Sequence, residues 1–124
     1  MSKRVLETIE NAMNTLDINY SFMEWNDEPV YPYFTGEYQE IEPYDEDGMQ
    51  EISFLLTGFS RGSWEALEDA KEKIENHFNK VSGDIVSADG WAVAIFYANS
   101  LVIPTGDAEL KKIQINLSIK EWKV

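Results

Sequence analysis

Lys112-Ile113-Gln114-Ile115-Asn116-Leu117-Ser118-Ile119-Lys120 alternates polar and apolar side chains without a break. Successive side chains of a strand point to opposite faces, so Ile113, Ile115, Leu117 and Ile119 form one buried face. Lys112, Gln114, Asn116, Ser118 and Lys120 form one wet face. Isoleucine is β-branched and suits a pleated, half-buried surface, which reinforces the reading. A strand apolar on one side only requires a covering layer on that side, and this is the pattern of antiparallel sheets with one solvated face.

Working outward from this strand, Trp91 to Ala98 sets Trp91, Val93, Ile95 and Tyr97 against the small Ala92, Ala94 and Ala98, a second alternating strand. Asn99, Ser100, Pro104, Thr105, Gly106 and Asp107 read as the connection between the two. Ser82, Gly83, Asp84, Asp89 and Gly90 read as turn residues before it. Glu51 to Phe59 is denser in apolar residues, with Ile52, Phe54 and Leu56 on one face and Leu55 and Phe59 on the other, as expected of a central strand. A strand from Tyr31 to about Ile41 precedes it, and Pro29 and Pro32, which lack a backbone donor, place its start at a sheet edge or bulge. Tyr20, Phe22 and Glu24 alternate in a further strand, ended by the turn formers Asn26, Asp27, Glu28 and Pro29.

Two segments have helical spacing instead. Val5, Leu6, Ile9, Met13 and Leu16 make one apolar face, with Ser2 available as an N-cap. Trp64, Leu67, Ala70, Ile74 and Phe78 make another, with Ser63 as its cap and Glu65, Glu68, Asp69, Lys71, Glu72, Lys73 and Glu75 turned to solvent. The order is helix, three strands, helix, two strands, with short links that favour antiparallel neighbours. The expected fold is α+β: a two-layer, mainly antiparallel β-sheet with two α-helices packed on one face, in one domain over residues 1–124.

Composition narrows the function. The 124 residues contain no cysteine, which removes disulfides, thiolate metal sites and a cysteine nucleophile, and fits a reducing cytoplasm. Acidic residues number 23 against 10 basic ones, a net charge of −13 that repels nucleic-acid phosphate and anionic lipid. Specific nucleic-acid binding is therefore not expected. Met1 to Arg4 lead into a segment carrying Glu7 and Glu10, without the continuous apolar core of a signal peptide, and no apolar run approaches the ~20 residues of a membrane span.

The catalytic signals fail on geometry. Gly58-Phe59-Ser60-Arg61-Gly62 matches G-x-S-x-G between a strand and a helix, where a nucleophile elbow would sit. Its serine needs a histidine base, and the single histidine, His77, lies roughly 20 Å along the second helix at 1.5 Å per residue. Gly58 and Gly62 as a tight strand exit, Ser63 as a cap and Arg61 as a solvated or interface cation account for the same residues. The acidic loop Asp45, Glu46, Asp47, Gly48 invites calcium. Setting Gly48 at the sixth position of a calcium loop, however, puts Pro43 at the first and Phe54 at the twelfth, where carboxylates are needed. His77 has no partner histidine or cysteine for a metal. No catalytic residue, metal or cofactor is expected.

Trp25, Tyr31, Tyr33, Phe34, Tyr38 and Tyr44 cluster in one region whose neighbours are acidic, which suits sheet packing or a tyrosine-rich protein interface better than a base-stacking groove. The order of elements brings together Tyr31-Pro32-Tyr33-Phe34-Thr35-Gly36-Glu37, Glu51-Ile52-Ser53-Phe54-Leu55-Leu56-Thr57-Gly58-Phe59-Ser60-Arg61-Gly62 with its Glu68-Asp69-Ala70-Lys71 helix, and the closing Lys112 to Glu121 strand. Over nearly the full chain this resembles the tail terminator or tail-completion proteins of long-tailed bacteriophages and prophages.

The resemblance implies a virion assembly protein without turnover: a homo-oligomeric ring, commonly a hexamer, that caps the tail tube and meets the tail-tube and head-completion proteins. Assembly would take place in the bacterial host cytoplasm, and the product would stay in the virion tail. In such a ring the negative charge would line a channel and keep passing DNA from sticking. A ring needs a heterologous interface, one patch against a different one. The candidates are Tyr31, Tyr33, Phe34 and Tyr38 on one strand, Tyr44, Asp45, Glu46 and Asp47 in the acidic loop, Arg61, the Asn99 to Asp107 connection, and Trp122. Two other readings remain: an acidic DNA mimic or inhibitor that binds a basic protein, and a small-ligand module with a pocket between sheet and helices.

Overall fold

The computed structural model describes residues 1–25, 28–41, 48–79 and 81–123. The elements run α1 (Lys3–Thr15), β1 (Asn19–Phe22), β2 (Tyr33–Glu40), β3 (Met49–Arg61), α2 (Trp64–His77), β4 (Asp84–Ala88), β5 (Trp91–Ile103) and β6 (Leu110–Lys123). The six strands form one sheet in the order β1-β2-β3-β6-β5-β4. Four of the pairings are antiparallel, and β1 runs parallel to β2. The class is α+β, with two helices beside a six-stranded, mostly antiparallel sheet.

The long antiparallel centre follows from the alternation in β3 and β6. Ile52, Phe54 and Leu56 pair with Ile119, Leu117 and Ile115 across the ladder, so the apolar faces of the two strands coincide. These side chains join Val5, Ile9 and Met13 of α1 and Leu67, Ala70 and Ile74 of α2 in one core, together with Phe34, Phe78, Val93 and Ile95. Removing each of the larger ones from water contributes about 1.5–3 kcal/mol, offset by the ordering entropy of the chain. Phe54 is fully buried at the centre, and its truncation to alanine would cost about 3–5 kcal/mol.

Several boundaries depart from the sequence reading. Asp84–Ala88, taken as part of a turn region, is strand β4, an edge strand with Ile85 65 % exposed. Its half-exposed apolar pattern gives no clean period, and pairing to β5 through Ile85↔Ala94 and Val86↔Val93 decides its conformation. β5 continues to Ile103, so Asn99 to Ile103 belong to the sheet and not to the connection. A register shift between Tyr97 and Asn99 explains the broken alternation: one extra residue turns Asn99 to the same side as Asn116, whose Nδ2 donates to Asn99 Oδ1 at 2.6 Å. The link from β1 to β2 was expected to join antiparallel neighbours and joins parallel ones. The start of β2 is accordingly covered by β1, and Pro32 sits just outside the ladder, where no donor is needed.

The caps behave differently from one another. Ser63 Oγ accepts from Glu65 N at 3.1 Å and starts α2 as expected. Ser2 occupies the N-cap position of α1 without a side-chain cap bond. Its hydroxyl donates instead to Glu121 Oε2, and its backbone N–H donates to Glu121 Oε1 at 2.9 Å.

Candidate interaction surfaces

The ladder sets one row of side chains on the face opposite the core. Tyr33 pairs with Phe59 across β2 and β3, and Phe59 pairs with Lys112 across β3 and β6. The neighbouring row, Phe34, Gly58 and Ile113, is buried, so Tyr33, Phe59 and Lys112 must point the other way. Trp25 packs on Tyr33 with ring centroids 5.1 Å apart, Tyr31 on Tyr33 at 5.5 Å, and Tyr33 on Phe59 at 5.1 Å. Two cations close this aromatic wall: Arg61 lies 5.7 Å from the Tyr31 ring centre and Lys112 5.6 Å from that of Phe59. Hydrogen bonding with Tyr31, then the charges of Asp107 and Glu109, hold Arg61 still more firmly protonated. Burial, and then Tyr31, pushes the Tyr33 phenol above its ordinary value.

The sequence candidates thus divide. Tyr31, Tyr33 and Arg61 come together in the wall, half-buried or exposed. Phe34 does not join them, because its position in β2 turns it inward and leaves it with no exposed surface. Tyr38, on that same inward side but near the sheet's rim, is 42 % exposed and stacks on Phe22, which stacks in turn on Phe54. Trp122 is half-buried, opposite Met49 and Ala92 on the neighbouring strands. Tyr44, Asp45, Glu46 and Asp47 lie outside the described residues. Of the Asn99 to Asp107 segment, Leu101 and Val102 stand out as large apolar side chains 59 % and 50 % exposed.

The residues of the G-x-S-x-G match have packing roles. A β-carbon on Gly58 would sit 2.4 Å from the Phe34 ring, so the position admits only glycine without movement. Ser60 is 2 % exposed inside β3, and Gly62 turns the chain out of the strand with φ +86°. His77 Nε2 lies 3.0 Å from Asp84 Oδ2 and its ring meets Phe78 edge-on at 4.7 Å, tying the end of α2 to β4. Among the described residues no three His, Asp or Glu side chains gather where they could hold a metal ion.

One cluster escaped the sequence reading. Glu121 is fully buried and accepts from Ser2 and from Trp91 Nε1, the latter at 2.6 Å. Beside it the Met1 ammonium donates to Gln50 Oε1 at 2.7 Å and pairs with Glu40, whose carboxyl that ammonium holds below the usual carboxylate range. Nothing local distinguishes Glu121 from the chain's other acids. The signal that could have found it is its parity: counted on from Ile119, position 121 falls on the buried face of β6.

No family model matches the chain, and no curated protein matches it at a significant level. Among solved structures, the chain is similar in fold to a chain of the "Virion of native gene transfer agent (GTA) particle", with a TM-score of 0.64 at 8 % sequence identity, covering 90 % of this chain and 84 % of that one.

Proposed function

We propose that this protein is a structural assembly subunit of a phage-like particle, acting at the end of a tail tube as a closed ring without catalysing any reaction. The observation that carries the reading is the fold shared, over nine-tenths of the chain, with a component of a gene transfer agent virion. The architecture we assign is two-layered, α1 and α2 roofing one face of the sheet and leaving the aromatic wall on the other free for neighbours. The wall of Trp25, Tyr31, Tyr33 and Phe59, fringed by Arg61 and Lys112, has the composition of a protein-binding surface: aromatic and arginine-bearing within an otherwise acidic molecule. Burial of Ser60 and engagement of His77 by Asp84 support a role without turnover. The high negative charge suits a channel through which DNA passes without adhering. The partners in this reading are further copies of the chain, a tail-tube protein and a head-completion protein.

The test is genetic and visual. Particles assembled without this chain are expected to carry tubes of irregular length that fail to join heads, seen by electron microscopy, and supplying the pure protein should restore joining. Normal particles in its absence would overturn the proposal.

A further inference from the structure

The two ends of the sheet are stepped. β4 covers β5 only from Trp91 to Ile95, and beyond the Tyr97 N–H, which bonds Phe78 O, no strand among the described residues pairs with the outer side of β5. At the other end β1 is the edge, paired among the described residues only with β2 from Tyr33 to Gly36. Following the registers across the sheet, Asn19 is level with Tyr33, Phe59, Lys112 and Ile103, and Phe22 is level with Gly36, Leu56, Ile115 and Ser100. The free edge of β1 and the free edge Ser100 to Ile103 of β5 therefore lie at the same height on opposite ends of one sheet. They also run in opposite directions, because β1 parallels β2, and β2, β3, β6 and β5 alternate.

From this we infer that copies of the chain join edge to edge, β1 of one pairing antiparallel with Ser100 to Ile103 of the next, so that a single sheet continues through the ring. The inference rests on the assembly reading above and names its seam. Three features select a second copy as the occupant. First, the side-chain parity agrees: Tyr20 and Val102 both fall on the core side, Ser21 and Leu101 both on the opposite side. Second, an exposed edge with Leu101 and Val102 more than half or half in water is what soluble chains avoid, and β1 offers a receptor for it. A groove of about 370 Å³ runs along β1 and α1, lined by Leu6, Tyr20 and Phe22 among others, on the side that Val102 would enter. Third, both edges are uncharged, Asn19-Tyr20-Ser21-Phe22 and Ser100-Leu101-Val102-Ile103, in a chain of net charge −13 whose copies otherwise repel. Of the other open edges, β4 begins level with Glu40 and so does not stand opposite β1, and Glu37 to Glu40 of β2 carries two carboxylates and suits identical neighbours poorly. The joint is heterologous, the kind that makes a ring when the rotation from copy to copy closes.

The absence of native cysteine provides the test. In this register Ser21 of one copy faces Leu101 of the next, with β-carbons about 4.5–5.5 Å apart, close enough to bridge with a small adjustment. Mixing Ser21→Cys with Leu101→Cys under mild oxidation should give a covalent dimer. Each variant alone should give none, and Tyr20→Cys with Leu101→Cys, on opposite faces, should give none. Leu101→Glu, at an exposed site that leaves the fold intact, should weaken self-association about tenfold or more. A ring of normal mass that neither cross-links at this pair nor responds to Leu101→Glu overturns the seam and leaves the assembly reading standing. A chain that stays monomeric at every concentration and never cross-links overturns both.

Discussion

The indole Nε1 of Trp91 donates to Oε2 of Glu121 at 2.6 Å, where the carboxylate has no exposed surface. Trp91 opens β5 opposite Lys123, and Glu121 lies on the buried face of β6, so the bond clamps the two strands at the end where α1 begins. A carboxyl group so deeply buried is tolerable only with its hydrogen-bond partners present. Trp91→Phe keeps most of the ring and removes one donor. It should destabilise the protein by about 1–3 kcal/mol in urea denaturation with the m-value unchanged.

Gly58 tests whether the serine-centred motif is packing. Gly58→Ala brings a methyl group 2.4 Å from the Phe34 ring and should cost about 1–3 kcal/mol. Gly58→Ala combined with Phe34→Leu should cost less than the sum of the two single changes, because the smaller side chain leaves room for the methyl group. Additive losses, measured in the same denaturation series, would contradict the contact.

Tyr20 sets an alkaline limit. Burial, with a smaller push from Glu10, raises its phenol well above the usual 10. Below pH 10 the phenol is neutral folded or unfolded and contributes nothing to the pH dependence. As pH rises past 10 the unfolded chain ionises first, so stability falls through that range. Tyr20→Phe should flatten the decline above pH 10, read as unfolding midpoint against pH.

His77 should prove dispensable. Its contact with Asp84 is partly exposed, and such pairs contribute about 0–1 kcal/mol. His77→Gln should therefore lower stability by no more than about 1 kcal/mol and leave particle assembly unchanged, whereas loss of assembly with a stable fold would show a role that the geometry does not explain.

Much of the sheet was legible because β3, β5 and β6 bury one face and leave the other partly wet, so a period of two is written directly into their residues. The helices announced themselves through the stripes Val5, Ile9, Met13 and Leu67, Ala70, Ile74. What could not be read was decided by pairing partners distant in sequence. β4 is held by β5 with little burial of its own. The tail of β5 is held by β6 past a register shift that breaks the alternation, and the parallel course of β1 depends on where β2 lies. At the surface, Tyr31 and Tyr33 were identified because aromatic residues cluster in the sequence, and Arg61 as a cation at the exit of the β3 strand. Phe34 was placed with them although its parity points it to the core, and Phe59 and Lys112 joined the wall only through the ladder.

The most direct measurement of the central claim is the mass of the purified protein in solution, by sedimentation velocity over a wide range of concentration. A closed assembly of fixed copy number, built from 14.3 kDa chains and growing no further as concentration rises, is the expected result. A single 14.3 kDa species at every concentration would contradict it.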